Sequence, residues 1–418
     1  MIFKTFSKFS SSSAILGGGL SGLSACYHFL KKFPTRNLIL YEQSNKLGGA
    51  MTSIPTPYSN VNFELGPASL RKSGQLNELM KIIMEIGMVD EIVPALTYPK
   101  IFIYYDGKLR TMPKSYNPFI LAQFLIDNRK LVFSFLRFKY NKSYVPPPKG
   151  LDTNIEQILE RSVRFGKLEF PYSVPYVKKL AGAIMHGIFA STPSEISFKL
   201  CWKKFHHHAF YKNYFKNEEY KKPEENVKIA IEKYIGKSDS FEFKKGLNDL
   251  PKKLSNYLLS KYKDNFKIKY GSKIESIELS KKKILITNSN SEKSEYDIVI
   301  SALPCPVLRN VIKNEKIANQ LKSIELKNIA KVCLCYKNDV LPKKFNCFGF
   351  LVSPSENKDF LGMTFDSKTF PSENNETRIS VMIGDREVKE RRGELEKIAR
   401  KAVEEIVGIK EKPDYVKY

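Results

Sequence analysis

A chain of 418 residues exceeds one ordinary domain length, and 42% hydrophobic residues suffice to build packed cores, which excludes a disordered chain. The formal net charge of +25, from 69 Lys and Arg against 44 Asp and Glu, favours an anionic partner (phospholipid surface, nucleic acid or acidic ligand) or reflects biased lysine usage in solvated clusters such as Lys281 to Lys283. Six irregularly spaced cysteines exclude a secreted disulfide framework and a CxxC zinc site, and no apolar run reaches the roughly 18 residues of a membrane span.

Residues 1–13 carry Lys4, Lys8 and a serine run without an acid, which predicts a leader-like or disordered N-terminus. Ala14-Ile15-Leu16 then reads as a buried strand, and Gly17, Gly18, Gly19, Leu20, Ser21 and Gly22 fit GxGxxG at Gly17, Gly19 and Gly22. A helix is expected over Leu23 to Phe33 and a second strand over Asn37 to Tyr41, closing on Glu42. This strand–turn–helix–strand–acid order is that of a dinucleotide-binding unit. Gly17 allows a tight turn, Gly19 a close backbone approach to a pyrophosphate, and Gly22 close packing of helix on strand. The helix N-terminus offers unpaired N–H groups and the positive end of its dipole to phosphate. Glu42 has the chemistry to accept hydrogen bonds from a ribose diol.

Further along, Gln43 to Gly49 and Phe63 to Ser69 are glycine-containing loops. Residues 115–235 mix helix-length apolar runs, Phe119 to Ile126 and Leu131 to Leu136, with Arg129, Lys130, Arg137 and Lys139. Apolar faces with basic rims suit an interfacial membrane helix or a buried helical insertion. Asp152 to Phe165 reads as an amphipathic helix. His206-His207-His208 point in different directions on a helix and are read as surface or pocket-rim residues, with no metal site. A helix is expected over Asn248 to Lys261, a strand over Ile268 to Ile274, a hairpin over Ile274 to Leu279 and Ile284 to Ile286, and a buried strand from Tyr296 to Pro304. Cys333 and Cys335 share one face of the strand-like run Ala330 to Tyr336, where packing is their expected role.

Lys46-Leu47-Gly48-Gly49 and Gly66-Pro67-Ala68-Ser69 resemble the two flavin-contacting stretches of the flavin amine oxidase superfamily. Phe348 to Glu356, Leu361 to Pro371, Arg378 to Gly384, His186 to Ala190 and Cys26-Tyr27-His28 resemble protoporphyrinogen oxidases within it. The resemblance runs from about Ala14 to the end of the chain. It implies an α/β fold with α+β insertions: a Rossmann-like FAD-binding domain (14–96 and 240–305), a mixed-sheet substrate domain (97–114 and 306–418) and a helical membrane-binding insertion (115–235). It implies FAD, contacted by Gly17, Gly18, Gly19, Leu20, Ser21, Gly22, Glu42, Gln43, Gly49, Gly66, Pro67, Ala68, Ser69 and Ile274, the last near the adenine. Phe348, Leu351 and Met382 match substrate-contacting positions. The implied reaction is the oxygen-dependent oxidation of protoporphyrinogen IX in heme biosynthesis, by three hydride transfers to FAD with release of peroxide. No side chain is then a catalytic acid or base, since the cofactor carries the redox chemistry. The resemblance also implies peripheral docking on the mitochondrial inner membrane, admits a homodimer and gives no role to nucleic acid.

Departures accompany the match. Ile101 stands where an arginine for a substrate propionate is usual, with Lys100 beside it as a weaker substitute. Ala68 replaces another usual Arg, and Ser191-Thr192 a usual Gly-Asp. These changes count against tight substrate binding. The chain also stops at Tyr418, before the family's last Gly-rich flavin-contacting segment, so reduced stability and weakened flavin binding are expected. The alternatives are a flavin-dependent polyamine or amine oxidase and a truncated, inactive FAD-binding relative.

Overall fold

A computed structural model describes residues 2–4, 12–72, 76–97, 100–113, 153–157, 173–201, 224–280 and 283–418. The chain forms two compact units. Unit 1 comprises Met1–Thr56, Asn60–Ala95 and Glu225–Leu326, and unit 2 comprises Pro57–Ser59, Leu96–Glu224 and Lys327–Tyr418.

Unit 1 is centred on a five-stranded sheet in the order β1 (Ile2–Lys4), β15 (Ile298–Ser301), β2 (Ser13–Leu16), β3 (Leu38–Tyr41) and β11 (Phe266–Lys269). All but β1 run parallel. All four residues of β2 are buried, as a central parallel strand covered on both faces requires. Alternation divides the sheet between two cores. Ile15, Leu38 and Leu40 meet Leu23 and Leu30 of helix α1 (Leu20–Lys32) and Leu254 and Leu258 of helix α5 (Asp249–Lys261). Ala14, Leu16 and Val299 meet the opposite layer, an antiparallel sheet of β12 (Ile274–Leu279), β13 (Ile284–Asn288) and β14 (Lys293–Tyr296) with helices α6 (Cys305–Val311) and α7 (Glu315–Leu321). A smaller sheet of β6 (Leu70–Arg71), β10 (Ser240–Phe243) and β7 (Ile92–Pro94) shares a core with helices α2 (Leu76–Glu85) and α4 (Glu225–Tyr234). The hairpin β4 (Ser53–Pro55)–β5 (Asn62–Glu64) completes the unit.

The Glu85 carboxylate ties three helices together. It accepts hydrogen bonds from the Tyr27 hydroxyl and from Lys31 (2.8 Å) on α1, and from Tyr257 (2.5 Å) and Lys261 (3.1 Å) on α5. Each lysine also lies over the ring of the tyrosine one turn away, at 5.2 Å and 5.0 Å.

Unit 2 holds a seven-stranded mixed sheet in the order β20 (Tyr415–Lys417), β16 (Ala330–Tyr336), β19 (Thr377–Ile383), β18 (Gly362–Phe365), β17 (Gly349–Val352), β8 (Lys100–Tyr105) and β9 (Lys108–Pro113). Only β17 and β8 run parallel. Strict alternation in β19 sends Ile379, Val381 and Ile383 into the larger core with Val332, Leu334, Phe350, Met363 and Phe365. Burying each such side chain contributes about 1.5–3 kcal/mol. Helix α8 (Leu395–Ala402) covers that core with Leu395, Ile398, Ala399 and Ala402, an i, i+3, i+4, i+7 stripe. Helix α3 (Ser173–Phe189) lies against the other face.

Several expectations need correction. Within the N-terminal segment expected to be leader-like or disordered, Ile2–Lys4 pairs with β15 as β1 and Ser13 opens β2, while residues 5–11 lie outside the described residues. Helix α4 belongs to unit 1 and not to the insertion over 115–235, since Val227 and Ala230 complete the core around Phe241 and Phe243. Helices α6 and α7 extend unit 1 to Leu326, beyond the boundary expected at 305, since Leu308, Val311 and Ile312 pack beneath β12 to β14. The strand expected to run to Ile274 ends at Lys269, and Gly271 turns with φ +61°. Cys333 and Cys335 share a face and are buried, and burial pushes the Cys335 thiol up to about 12. Residues 114–152, most of the helix expected over Asp152 to Phe165, and His206 to His208 lie outside the described residues.

Candidate active site

In unit 1 the glycine segment turns directly from β2 into α1. Gly17 adopts φ +99°, where glycine carries no steric penalty. A Cβ on Gly22 would lie 1.8 Å from the Gly17 carbonyl oxygen, so helix and turn touch through backbone. Behind the turn, a Cβ on Gly17 would meet the Ala302 carbonyl oxygen at 3.2 Å. Gly19, the N-cap of α1, differs: a Cβ there would meet only the Gly49 Cα, at 3.8 Å. The protein does not fill the space in front of Gly19. No side chain caps α1 and no acid occupies its first turn, so the N–H groups of Leu20, Ser21 and Gly22 point out of the helix end without intrahelical acceptors.

The loop after β3 packs against this turn. Gly48 donates its N–H to the Gly18 carbonyl (3.0 Å), and Gly49 has φ +59° with its Cβ position 3.2 Å from the Gly19 Cα. The Glu42 carboxylate, 8% exposed, accepts from the Gly18 N–H (2.8 Å) through one oxygen and from the Ser44 N–H and hydroxyl (both 2.9 Å) through the other. A carboxylate has about four acceptor directions, so with three taken one remains, enough for one ribose hydroxyl. Tyr270 reports the local charge, its hydroxyl being pushed up by burial and by the Glu42 carboxylate.

Gly66 is as constrained as Gly22, with a Cβ position 1.9 Å from the Ala50 carbonyl oxygen. It carries Pro67 (exposed), Ala68 and Ser69 away from the hairpin. The buried Glu64 carboxylate accepts from Ser53 Oγ (2.7 Å) and from the Leu247 N–H (2.8 Å), pinning the hairpin to the turn before α5. Gln43 is exposed. Ile274 is 5% exposed and its side chain packs in the core beneath β12 to β14. Sequence reasoning missed the roles of Ala302, Ser44 and Glu64. The positive φ of Gly48 (+118°) had a sequence signal in the Gly-Gly pair; the long-range pin from Glu64 had none.

In unit 2 the cross-strand register aligns the apolar candidates. Leu351 of β17 opposes Gly362 of β18, which opposes Met382 of β19. The three lie in one row on the face away from the larger core, and Leu351 and Met382 are half-buried. Gly362 lets its neighbours close in, since a Cβ there would lie 2.5 Å from the Phe350 carbonyl oxygen and 3.3 Å from Leu351 Cδ2. Phe348 precedes β17, is 40% exposed, and is followed by Gly349 at φ +148°. Gly187 of α3 admits Leu351, whose Cδ2 would lie 2.4 Å from a Cβ there. A pocket of about 340 Å³ opens at the end of the row, lined by His186, Lys327, Lys358, Leu361, Gly384 and Glu387. Burial holds the His186 imidazole below its ordinary value, against a weak contact from Nδ1 to the Val352 carbonyl (3.5 Å). The backbone of Lys100 opens β8, and its side chain lies outside the described residues. Ser191 and Thr192 have a structural role: the Ser191 hydroxyl (2.6 Å) and the Thr192 N–H (3.1 Å) bind Glu195, whose carboxyl is drawn down to about 2 by these bonds and by Lys327 at 3.5 Å.

Unit 1 therefore offers a backbone cradle for a pyrophosphate beside a carboxylate for a ribose, and unit 2 an apolar sheet face. The donor set fits a dinucleotide-form flavin. Among the described residues no group of three or more His, Cys, Asp or Glu is placed to hold a metal, and no helix is long and apolar enough to cross a membrane.

The family profile described as flavin containing amine oxidoreductase matches residues 20–418. Human protoporphyrinogen oxidase is 26% identical over 386 residues, covering 88% of this chain and 76% of its own length. Coproporphyrinogen III oxidase of Staphylococcus aureus is 23% identical, covering 97% of this chain and 85% of its own. A crystal structure of an Exiguobacterium protein provisionally named protoporphyrinogen oxidase superposes with a TM-score of 0.73 at 19% identity, over 98% of this chain and 86% of the other.

Proposed function

The chain belongs to the flavin-containing amine oxidoreductase family, and from that premise we propose that it oxidises protoporphyrinogen IX to protoporphyrin IX. A flavin-dependent oxidoreductase is the plain reading of the family; FAD, the substrate and the electron acceptor are the finer proposal. Held there, FAD would supply the redox chemistry: each of three rounds would remove a hydride and a proton from the substrate, and oxygen would take up the two electrons and two protons as hydrogen peroxide. Three oxygen molecules then yield three of hydrogen peroxide per porphyrin formed.

The observation that carries the substrate is the row of Leu351, Gly362 and Met382. A macrocycle needs apolar contact, and the half-buried Leu351 and Met382 side chains supply it on either side of Gly362. Phe348, exposed beside it, adds an aromatic edge. These side chains orient the substrate and exclude water; no acid or base among them moves a proton. On the cofactor side, the N–H groups at the start of α1 and the Gly48–Gly49 loop bind the pyrophosphate, and Glu42 orients the adenosine ribose. Peripheral docking on the mitochondrial inner membrane through residues 115–150 belongs to the same proposal and is tested by flotation with anionic liposomes.

The central test is porphyrin fluorescence after adding protoporphyrinogen IX to the purified chain with FAD, against a heat-killed control for autoxidation. Coproporphyrinogen III and spermine are run in parallel. A rate above control with protoporphyrinogen supports the reading. Preference for coproporphyrinogen moves the substrate to that tetracarboxylate. Peroxide from spermine alone makes the protein an amine oxidase, and bound flavin without any turnover makes it an inactive relative.

A further inference from the structure

The parallel strands of the unit 1 sheet end side by side, and their tips follow the order of the sheet: Ala302 after β15, Gly17 after β2, Glu42 after β3 and Tyr270 after β11. The Ala302 carbonyl backs the Gly17 turn. The N–H groups at the start of α1 suit a phosphate, and Glu42 has an acceptor direction left for one ribose hydroxyl. In an open parallel sheet a nucleotide lies across the carboxyl ends of the strands. Its sugar stands between phosphate and base. A nucleotide with its phosphate at β2 and its sugar at β3 therefore carries its base on toward β11. With strands about 4.8 Å apart, that tip is roughly 10 Å from the phosphate site.

Tyr270 stands at that tip. The parallel register ends on Lys269 opposite Tyr41, and the Glu42 N–H donates to the Lys269 carbonyl (2.9 Å), which brings Tyr270 beside Glu42. The turn that follows is tied to the same loop. Gly271 donates its N–H to the Ser44 carbonyl (3.1 Å) and Ser272 to the Glu42 carbonyl (2.9 Å). The backbone of Tyr270 is thus fixed on both sides, while its side chain is 46% exposed. Among the described residues no ring packs on it and no side chain bonds its hydroxyl. Burial and the Glu42 charge both push that hydroxyl up, which keeps the ring neutral. Lys269, by contrast, is taken: it pairs with Glu292 at 2.8 Å and lies 5.6 Å from the Tyr41 ring centroid. An aromatic face held on a fixed backbone and open to solvent is a surface on which a nucleobase stacks.

We infer that the Tyr270 ring is the platform on which the adenine of the bound dinucleotide stacks. The inference rests on the dinucleotide reading of the unit 1 cradle and is independent of the substrate. The role is binding and specificity: no bond is made or broken at Tyr270. A platform at β11 rewards a ligand that reaches past the ribose site, so it selects FAD over FMN, which has no base to place there. Stacking has no donor or acceptor pattern to satisfy, so a phenyl ring serves as well as a phenol.

The test titrates the full chain, freed of flavin, with FAD, FMN and ADP, as wild type, Y270A and Y270F. ADP carries base, ribose and pyrophosphate without the flavin ring. Y270A is expected to raise the Kd for FAD and for ADP about tenfold, as for loss of one base–aromatic stack, and to leave the FMN Kd within about twofold. Y270F stays within about threefold of wild type for all three ligands. Unchanged FAD and ADP values in Y270A, an equal loss for FMN, or a loss in Y270F as large as in Y270A overturns the inference. A wild type that binds ADP but neither flavin defeats the flavin reading alone, and the ADP titrations still decide Tyr270. A wild type that binds none of the three overturns both. Thermal midpoints of the flavin-free chains confirm that the variants are folded.

Discussion

The cradle of unit 1 and the sheet face of unit 2 are built from different materials. At the cradle backbone meets backbone: Gly22 against the Gly17 carbonyl, Gly66 against the Ala50 carbonyl, Gly49 against Gly19. At the sheet face, side chains of Leu351 and Met382 lie on strands whose positions are set by a register of hydrogen bonds. Backbone cannot give way without moving a whole element, whereas a side chain has other rotamers. The first region should therefore fail abruptly on substitution and the second by degrees.

The largest expected effect is at Gly22. Gly22→Ala places a methyl 1.8 Å from the Gly17 oxygen, and overpacking of this kind costs about 1–3 kcal/mol. The variant should purify without bound flavin, as read from its visible spectrum, with a lowered thermal midpoint. A yellow variant of normal stability would break the contrast. Next is Glu42→Ala, which leaves the buried Gly18 N–H without its acceptor and removes the ribose partner. Losing such a bond costs about 1–3 kcal/mol, so the flavin Kd should rise between about tenfold and a hundredfold, measured by fluorescence titration.

Gly187→Ala tests the other region. Its methyl meets Leu351 Cδ2 at 2.4 Å, a flexible group that can swing aside. Flavin content should stay normal while KM for the porphyrinogen rises about threefold to tenfold, a shift of roughly 1 kcal/mol. Loss of flavin from this variant would show that the two regions are not separable by material.

The smallest effect lies outside both regions, at the helix clamp. The Glu85 carboxyl is held below its ordinary 4.5 by Lys31, Tyr257, Tyr27 and Lys261, against burial that would raise it. Its stabilisation is thus complete above pH 4.5 and is lost as pH falls toward the depressed folded value. Lys31 and Lys261 are raised above 10.5 by Glu85 and their tyrosines, so their share persists below that pH and is lost as pH climbs through the folded values. With the lysines about half exposed, solvent screening limits the clamp to ~1 kcal/mol. Glu85→Gln should flatten the acid limb of the urea midpoint against pH and leave flavin content alone.

The same difference in material explains what could be read from the residues alone. Gly17, Gly19, Gly22 and Glu42 were legible because a phosphate-binding turn admits few residue types, and each keeps its spacing along the chain. The hairpin of β12 and β13 was legible from two strand-like runs close together in the chain. The row of Leu351, Gly362 and Met382 was not, because opposition across strands depends on register between distant segments. Ala302 and the Glu64–Leu247 pin were invisible for the same reason. The boundary at Leu326 was misplaced because α6 and α7 pack beneath β12, a contact that local pattern does not encode.

The central sheet of unit 1 also imposes an order on the making of the protein. The Ser12 N–H donates to the Asp297 carboxylate across 285 residues of chain, and β2 pairs with β15 in the same span. At ribosomal speeds of roughly 5–20 residues per second, the interval between emergence of these two strands is on the order of 15–60 s. Throughout it, the apolar edge of β2 that β15 will cover stays open to other chains. The glycine turn is made long before its backing at Ala302. Flavin capture is consequently a late event in biosynthesis, and a nascent chain that stalls before Ile298 has the phosphate-binding motif without a cradle to hold it.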